Sequence, residues 1–271
     1  MRGPDRAGRA GRAGWAGKDF PCPAHLPYPP YLPHPPYLPH PPYPPYLPHL
    51  PLMLKPIIAI DGPSGAGKGT VAREVAIALG YRHVDSGAMY RAVGWKALQE
   101  HVALDSDEAV SKLASASRID VSTARVLIDG TDVTRAIRTP EIDRAATAVA
   151  RLPGVRAVLV DRQRALGETG AIVMEGRDIG TVVFPNADVK IYLDASPEER
   201  ARRRASDPAH SGPTAVGEVA TLLTARDEID RTRAASPLYA APDAVVVDTT
   251  GQNVDQVVRE VLTVIRSKLK T

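Results

Sequence analysis

The apolar run Ile57-Ile58-Ala59-Ile60-Asp61 stops at Gly62-Pro63-Ser64-Gly65-Ala66-Gly67-Lys68-Gly69-Thr70 and resumes as a helix-like segment. Few arrangements of a chain satisfy that order. A buried strand ending in a glycine-rich turn that opens a helix points successive backbone N–H groups into one concavity, where the helix N-terminus adds partial positive charge. Such a concavity suits phosphate oxygens, and Lys68 would reach the terminal phosphates as a point charge. The ligand expected from this stretch is a nucleoside triphosphate. Gly69 stands where a serine or threonine usually follows the lysine, and the hydroxyl comes one residue later at Thr70. A glycine-rich turn without a ligand is the competing explanation, and the strand–turn–helix context weighs against it.

Composition divides the 271-residue chain near residue 54. Residues 1–54 hold 16 of the 26 prolines and carry Arg2, Arg6, Arg9, Arg12 and Lys18 against Asp5 and Asp19. They include the degenerate repeat Pro30-Tyr31-Leu32-Pro33-His34, Pro36-Tyr37-Leu38-Pro39-His40 and Pro45-Tyr46-Leu47-Pro48-His49. Proline at this density opposes helix and sheet, so 1–54 is expected to be a disordered Pro/Tyr/His-rich extension. One functional alternative is a ligand for aromatic-lined grooves. Another explanation is a start assigned too early, with Met53 as the true first residue just before the first core strand.

The formal charge of +3 belongs to that extension, because residues 55–271 carry 29 basic and 29 acidic side chains. A neutral remainder gives no clustered basic footprint, so no nucleic-acid partner is expected. The single cysteine, Cys22, excludes an internal disulfide and a cysteine-based metal site. No run approaches the ~18 apolar residues of a membrane span, and no apolar secretory core opens the chain. The expectation is a soluble, cytoplasmic protein with no membrane partner.

From Lys55 onward, apolar runs of strand length alternate with amphipathic stretches of helix length, the pattern of a parallel sheet flanked by helices. The expected strands are 57–61, 83–85, 171–174, 189–193 and 244–248. Gly80 should end the first helix, Ser86 should cap the next, and Thr139-Pro140 should open another. Between Arg118 and Ile137 the periodicity changes to two around Asp129-Gly130, which predicts a small antiparallel insert. Ser196-Pro197-Glu198-Glu199 reads as a capping box opening a helix with Arg200, Arg202, Arg203 and Arg204 facing outward. Asp207–Pro213 has the composition of a mobile loop.

The chain has only two asparagines, Asn186 and Asn253, and neither precedes lysine, so the guanine-reading Asn-Lys-x-Asp motif of GTPases is missing. A kinase remains, and it needs a second anionic site. Arg91, Arg177 and Arg233 lie where strand ends and helix starts meet the side of the glycine loop, the place where open α/β sheets bind ligands. Arginine forks there would offset the repulsion between two phosphates and hold their oxygens in line.

Four motifs, Gly62–Thr70 (GPSGAGKGT), Asp85–Arg91 (DSGAMYR), Glu175–Thr181 (EGRDIGT) and Arg226–Arg233 (RDEIDRTR), resemble bacterial cytidylate kinase, a nucleoside monophosphate kinase. The resemblance covers about residues 55–271, and the Gly69-Thr70 departure matches the lysine-glycine-threonine form of those kinases. It implies an α/β P-loop kinase with a five-stranded parallel sheet, an acceptor-binding insert at about 86–165 and a lid at about 200–214. It also implies a monomer that transfers the ATP γ-phosphate to CMP or dCMP, with Mg²⁺ bound to the nucleotide.

Residue by residue, the resemblance assigns the ATP phosphates to Gly62, Pro63, Ser64, Gly65, Ala66, Gly67, Lys68, Gly69 and Thr70. Arg91, Arg177 and Arg233 take the acceptor phosphate or the transferring group, and Ser86 assists. The base falls to Thr147, Arg156 and Asp178. Asp230 and Arg226 face the ribose, and Arg203 and Arg204 belong to the lid arm over ATP. Thr147 replaces a serine of the family. Cytosine offers an amino donor beside the N3 and O2 acceptors, so a carboxylate with nearby donors is its complement, and uracil would set a carbonyl against Asp178. No strong general base is required of an acceptor that is already anionic. Glu175 and Asp194 end strands where water-mediated Mg²⁺ contacts or simple capping are both open, so no metal ligand is assigned. A kinase of UMP, AMP or a metabolite hydroxyl, and a nucleotide-binding regulator without transfer activity, remain as alternatives.

Overall fold

The computed structural model describes residues 55–207 and 216–269; the extension 1–54 and residues 208–214 of the expected lid lie outside them. Strand β1 (Ile57–Asp61) runs through the glycine loop into helix α1 (Lys68–Leu79), followed by β2 (Arg82–Asp85), α2 (Ser86–Gln99) and α3 (Asp107–Ala116). Three short strands come next, β3 (Ile119–Val121), β4 (Val126–Ile128) and β5 (Thr131–Asp132), then α4 (Pro140–Val149) and α5 (Pro153–Gly167). Strand β6 (Ile172–Gly176) leads into a π-helical turn, Ile179–Val183, and on to β7 (Val189–Asp194). Helices α6 (Pro197–Ala205) and α7 (Val216–Thr232), strand β8 (Val245–Asp248) and α8 (Val254–Leu269) complete the order.

Five parallel strands form the main sheet in the order β2-β6-β1-β7-β8. Consecutive strands that are separated by a third require crossovers, which the helices supply on both faces. The side chains of the central strand β1 are accordingly apolar in both directions up to Ile60. Ile58 and Ile60 pack with Val75 of α1 and Val261 of α8, whereas Ala59 packs with Met174 and with Ile179 of the π turn. Each fully buried isoleucine of this kind contributes roughly 1.5–3 kcal/mol. The edge strands follow the sequence expectation within two residues. Strand β6 differs most: it begins at Ile172, because Ala171 has φ 50°, and it continues to Gly176.

The insert is a three-stranded antiparallel sheet, with Ile119 paired to Ile128 and Leu127 to Asp132. Asp129 and Gly130 both have positive φ, 51° and 81°, as a two-residue turn matched to strand twist requires. Val126 and Ile128 seat this sheet on Ala88 and Ala92 of α2 and Ile142 of α4.

Two local expectations are corrected. Ser86 does not cap α2: the Asp85 carboxylate accepts from the Ala88 N–H at 3.1 Å, while the Ser86 hydroxyl donates to the Glu175 carbonyl at 2.7 Å. The aspartate sits one residue closer to the strand, where extended backbone aims its side chain at the free N–H groups. The Ser196 capping box is also only half made. Ser196 caps Glu199 N–H at 3.2 Å, but the Glu199 carboxylate is drawn instead to Arg202 and Arg203 on its own helix. Those two guanidiniums hold the Glu199 carboxyl down at about 2.

Candidate active site

The C-terminal ends of β1, β2 and β6 open into one cleft of about 840 Å³. The glycine loop forms its floor. Gly62 has φ 147°, and a Cβ there would lie 2.0 Å from the Leu193 carbonyl oxygen, so no other residue fits beside β7. At Gly69 the neighbour is different. A Cβ would lie 2.9 Å from Glu175 Oε1, the far end of a side chain that would have to shift, and the hydroxyl comes one residue later at Thr70.

Lys68 bends back over the loop and donates to the Pro63 carbonyl at 2.8 Å. Burial and the nearby Arg177 lower its ammonium to about 8, against the opposing pull of Glu175 and Asp61. Asp61, the last residue of β1, accepts N–H bonds from Ile179 at 2.8 Å and Gly180 at 2.7 Å. Its carboxylate therefore anchors the π turn and fixes the two residues before that turn, Arg177 and Asp178. Burial pushes the Asp61 carboxyl up to about 7 in spite of these bonds.

Arg177 donates to the Gly62 carbonyl at 3.1 Å and pairs with Asp230 at 3.2 Å and Asp227 at 3.6 Å. Arg233 pairs with Asp230 at 3.4 Å and approaches Asp178 at 3.8 Å. Asp178 pairs with Arg156, and both side chains are buried. The Arg156 guanidinium lies 5.6 Å from the Tyr90 ring centroid, an aromatic face that favours a cation. Thr147 lines the same end of the cleft. Its hydroxyl donates to the Asp143 carbonyl one helical turn earlier at 2.8 Å, which sets the rotamer and leaves the oxygen free to accept.

One turn before Thr147 on α4, the Asp143 carboxylate accepts from Arg91 at 3.0 Å, and Arg91 lies 4.0 Å from Asp85. Arg226 lies 3.7 Å from the same Asp143, and burial together with Arg177 and Arg91 lowers it to about 10. A cation depressed mainly by burial and by neighbouring cations marks a place prepared for an anion. Among the described residues, no group of three or more His, Cys, Asp or Glu side chains has the arrangement of a metal site, and no helix is long and apolar enough to cross a membrane.

The site thus sets a phosphate-type loop and its lysine against a crowd of arginines with a buried Asp–Arg pair beside them. A family model described as Cytidylate kinase matches residues 58–267. The chain belongs to the cytidylate kinase family. The cytidylate kinase of Solibacter usitatus is 46% identical over 219 residues, covering 79% of this chain and 93% of that protein. That of Desulforamulus reducens is 49% identical over 210 residues, covering 76% and 95%. A bifunctional pantoate ligase/cytidylate kinase from Nostoc sp. is 46% identical over 224 residues, which cover 79% of this chain and 42% of that protein.

In this member of the family, helix α6 departs from the outward-facing basic helix read from the sequence. Only Arg202 faces solvent. Arg200 is buried and joins the Ala195 carbonyl, the Ser64 carbonyl and the Asp227 carboxylate. Its charge goes inward because α7 brings Asp227 beneath it, and Asp227 also accepts from the Ser64 N–H at 3.4 Å. Arg203 lies over the loop, donating to the Thr249 hydroxyl at 2.8 Å and the Thr249 carbonyl at 2.6 Å. Arg204 reaches across the cleft to Asp143. Arg226 and Asp230 are not paired directly: Asp230 serves Arg177 and Arg233, and Arg226 serves Asp143. Asp194, at the end of β7, is occupied by the Ala195 N–H at 2.9 Å.

Sequence reasoning missed Asp143, Asp61 and Asp227. Asp143 had one available signal, since it stands one helical turn before Thr147 and therefore on the same face of α4.

Proposed function

We propose that this chain transfers the γ-phosphoryl group of ATP to the phosphate of CMP or dCMP, giving ADP and CDP or dCDP. The observation that carries the reading is one cleft holding both the Lys68 loop and the Arg91, Arg177 and Arg233 side chains, next to the buried Asp178–Arg156 pair. Family membership supports the same conclusion.

On this reading the loop from Gly62 to Thr70 cradles the ATP phosphates through its backbone N–H groups, and Lys68 turns from the Pro63 carbonyl to the β- and γ-oxygens. Arg203 covers the loop. The acceptor phosphate is held by Arg91, Arg177 and Arg233, with Ser86 beside it. An oxygen of that phosphate attacks the γ-phosphorus as the bond from the γ-phosphorus to the β–γ bridging oxygen breaks, and ADP leaves. The acceptor is already ionised, so no proton must be removed, and catalysis consists of alignment and charge stabilisation. Asp178, Arg156 and Thr147 read the cytosine edge, and Asp230 and Arg226 face the ribose. A uracil carbonyl against Asp178 would leave buried groups unpaired, which costs about 1–3 kcal/mol for each.

Mg²⁺ would enter with the nucleotide. It usually keeps several waters and needs only one or two carboxylates, so the absence of a three-ligand cluster among the described residues is compatible with it. The Thr70 hydroxyl and the Glu175 carboxylate, on the cleft wall beside Lys68, fit that partial donor set. When bound, the ion would neutralise charge on the transferring oxygens.

Residues 55–271 form the kinase domain on this reading, with the acceptor-binding insert at about 86–165 and the lid beginning at α6. The state proposed is a monomer, and the location proposed is the cytoplasm. An assay of ADP release with CMP, dCMP, UMP and AMP tests the reading. CMP and dCMP should exceed UMP and AMP in kcat/KM by at least about a hundredfold. Equal rates with AMP would overturn it, and ATP binding without CDP formation would favour a regulator.

A further inference from the structure

Asp143 sits in the first turn of α4, and its carboxylate meets guanidiniums from three other helices: Arg91 of α2, Arg204 of α6 and Arg226 of α7. The Arg91 contact is 3.0 Å and the Arg226 contact 3.7 Å, and the carboxylate is mostly buried, with 13% of the side chain exposed. Asp85 plays the matching part on the other side of Arg91, lying 4.0 Å from it and 3.5 Å from Arg138. Asp207 also stands 4.0 Å from Arg204, so four guanidiniums share three carboxylates here, and guanidinium forks are suited to a phosphate.

A lone arginine at a cleft wall sweeps many rotamers and loses side-chain entropy on being fixed. A carboxylate shared by three forks removes much of that freedom before substrate arrives and lowers their mutual repulsion. The three forks then converge instead of splaying apart. Arg204 is the informative member, because the neighbouring Arg203 is tied to the opposite wall at Thr249. A contact from Arg204 to α4 therefore links the arm over the donor loop to the helix that carries Thr147.

We propose that Asp143 is a positioning residue for phosphoryl transfer, holding Arg91 in the geometry that receives the acceptor phosphate, steadying Arg226 beside it and fixing α6 to α4 through Arg204. It touches no substrate and acts through the arginines. The kinetic part of this inference rests on the function proposed above, whereas the structural tie does not.

Asp143→Asn, Arg204→Gln and the double variant test it. Asp143→Asn keeps the shape and removes the charge, so kcat for CDP formation should fall at least tenfold while KM for CMP changes less than threefold. Asp143→Glu should recover part of kcat. The double variant should lose less than the product of the two single losses, since the Asp143–Arg204 contact is common to both. Hydrogen–deuterium exchange without nucleotide should show faster exchange in 197–205 for Asp143→Asn and in 140–149 for Arg204→Gln. A kcat within twofold of the parent, a lower KM for CMP at unchanged kcat, or multiplicative losses in the double variant would overturn the proposal. If Asp143→Asn does not fold, exchange in Arg204→Gln decides: unchanged protection of 140–149 rejects the tie. If the parent makes no CDP, the proposed function fails and the exchange data alone judge the tie.

Discussion

Arg203 and Arg204 are adjacent in the chain and hold opposite walls of the cleft: Arg203 donates to Thr249 at 2.8 Å, and Arg204 pairs with Asp143 of α4. Successive helical side chains diverge by about 100°, so a basic pair on one arm can serve two sites. The two residues should then fail in different ways. Arg203→Gln is expected to raise KM for ATP about tenfold with KM for CMP nearly unchanged. Arg204→Gln is expected to act mainly on kcat. Steady-state kinetics with each substrate varied in turn separates them, and equal effects of both variants on KM for ATP would refute the division.

The pH dependence of ATP binding should report Lys68. Its ammonium is lowered to about 8 in the free protein, chiefly by burial and then by Arg177. ATP phosphates favour the protonated form, so affinity should be constant below that value. Above it, affinity should weaken by up to tenfold per pH unit, as proton uptake by Lys68 becomes part of binding. Titration of ATP binding between pH 6.5 and 9.5 checks the sign, and affinity that rises with pH would contradict it.

Asp178→Asn should damage the acceptor site far more than the donor site. The carboxylate and Arg156 are both buried, so removing the charge leaves a buried guanidinium without its partner, at a cost of about 3–5 kcal/mol. A fall of at least a hundredfold in kcat/KM for CMP with little change in ATP affinity is expected. Binding of ATP measured calorimetrically distinguishes this from general unfolding.

Gly62→Ala tests the loop itself. The added Cβ would meet the backbone of Leu193, which cannot swing aside as a side chain can, and φ 147° disfavours any L-residue. We expect a loss of about 2–4 kcal/mol in chemical denaturation, together with loss of ATP binding. The same change at Gly80, where nothing lies within 4 Å of a new Cβ, should cost only about 1 kcal/mol for its left-handed backbone.

Removal of residues 1–52, so that the chain begins at Met53, should leave kcat and both KM values within twofold. The family match begins at residue 58, and every side chain given a role lies beyond it. A large loss of activity would assign the proline-rich stretch a catalytic part.

The sheet was legible because burial on both faces forces unbroken apolar runs such as Ile57–Ile60 and Ile172–Met174, and each glycine or proline boundary has a local cause. The insert was legible for a different reason, since a sheet packed on one face alternates with a period of two, here around the Asp129-Gly130 turn. Charged residues were harder. Arg200 looked like a solvated member of a basic helix, and only the arrival of Asp227 from α7, 27 residues later, turns it inward. Asp61 read as the end of a strand, and its role depends on N–H groups of Ile179 and Gly180, which local sequence cannot place next to it. Asp143 looked like an ordinary first-turn acid, favourable to the helix dipole, and the three arginines that meet it come from elsewhere in the chain. Pairings of this kind are set by topology, whereas turns and caps are set by neighbours.

The carboxylate of Asp227 lies among the Ser64 N–H of the donor loop, Arg200 of α6 and Arg177 at the edge of the acceptor site. Donor and acceptor halves therefore share one keystone. A redesign that widens the loop for a different triphosphate would move the same group that sets Arg177, and its effect would register as altered choice of monophosphate. Engineering either pocket of this enzyme means treating both as a single object.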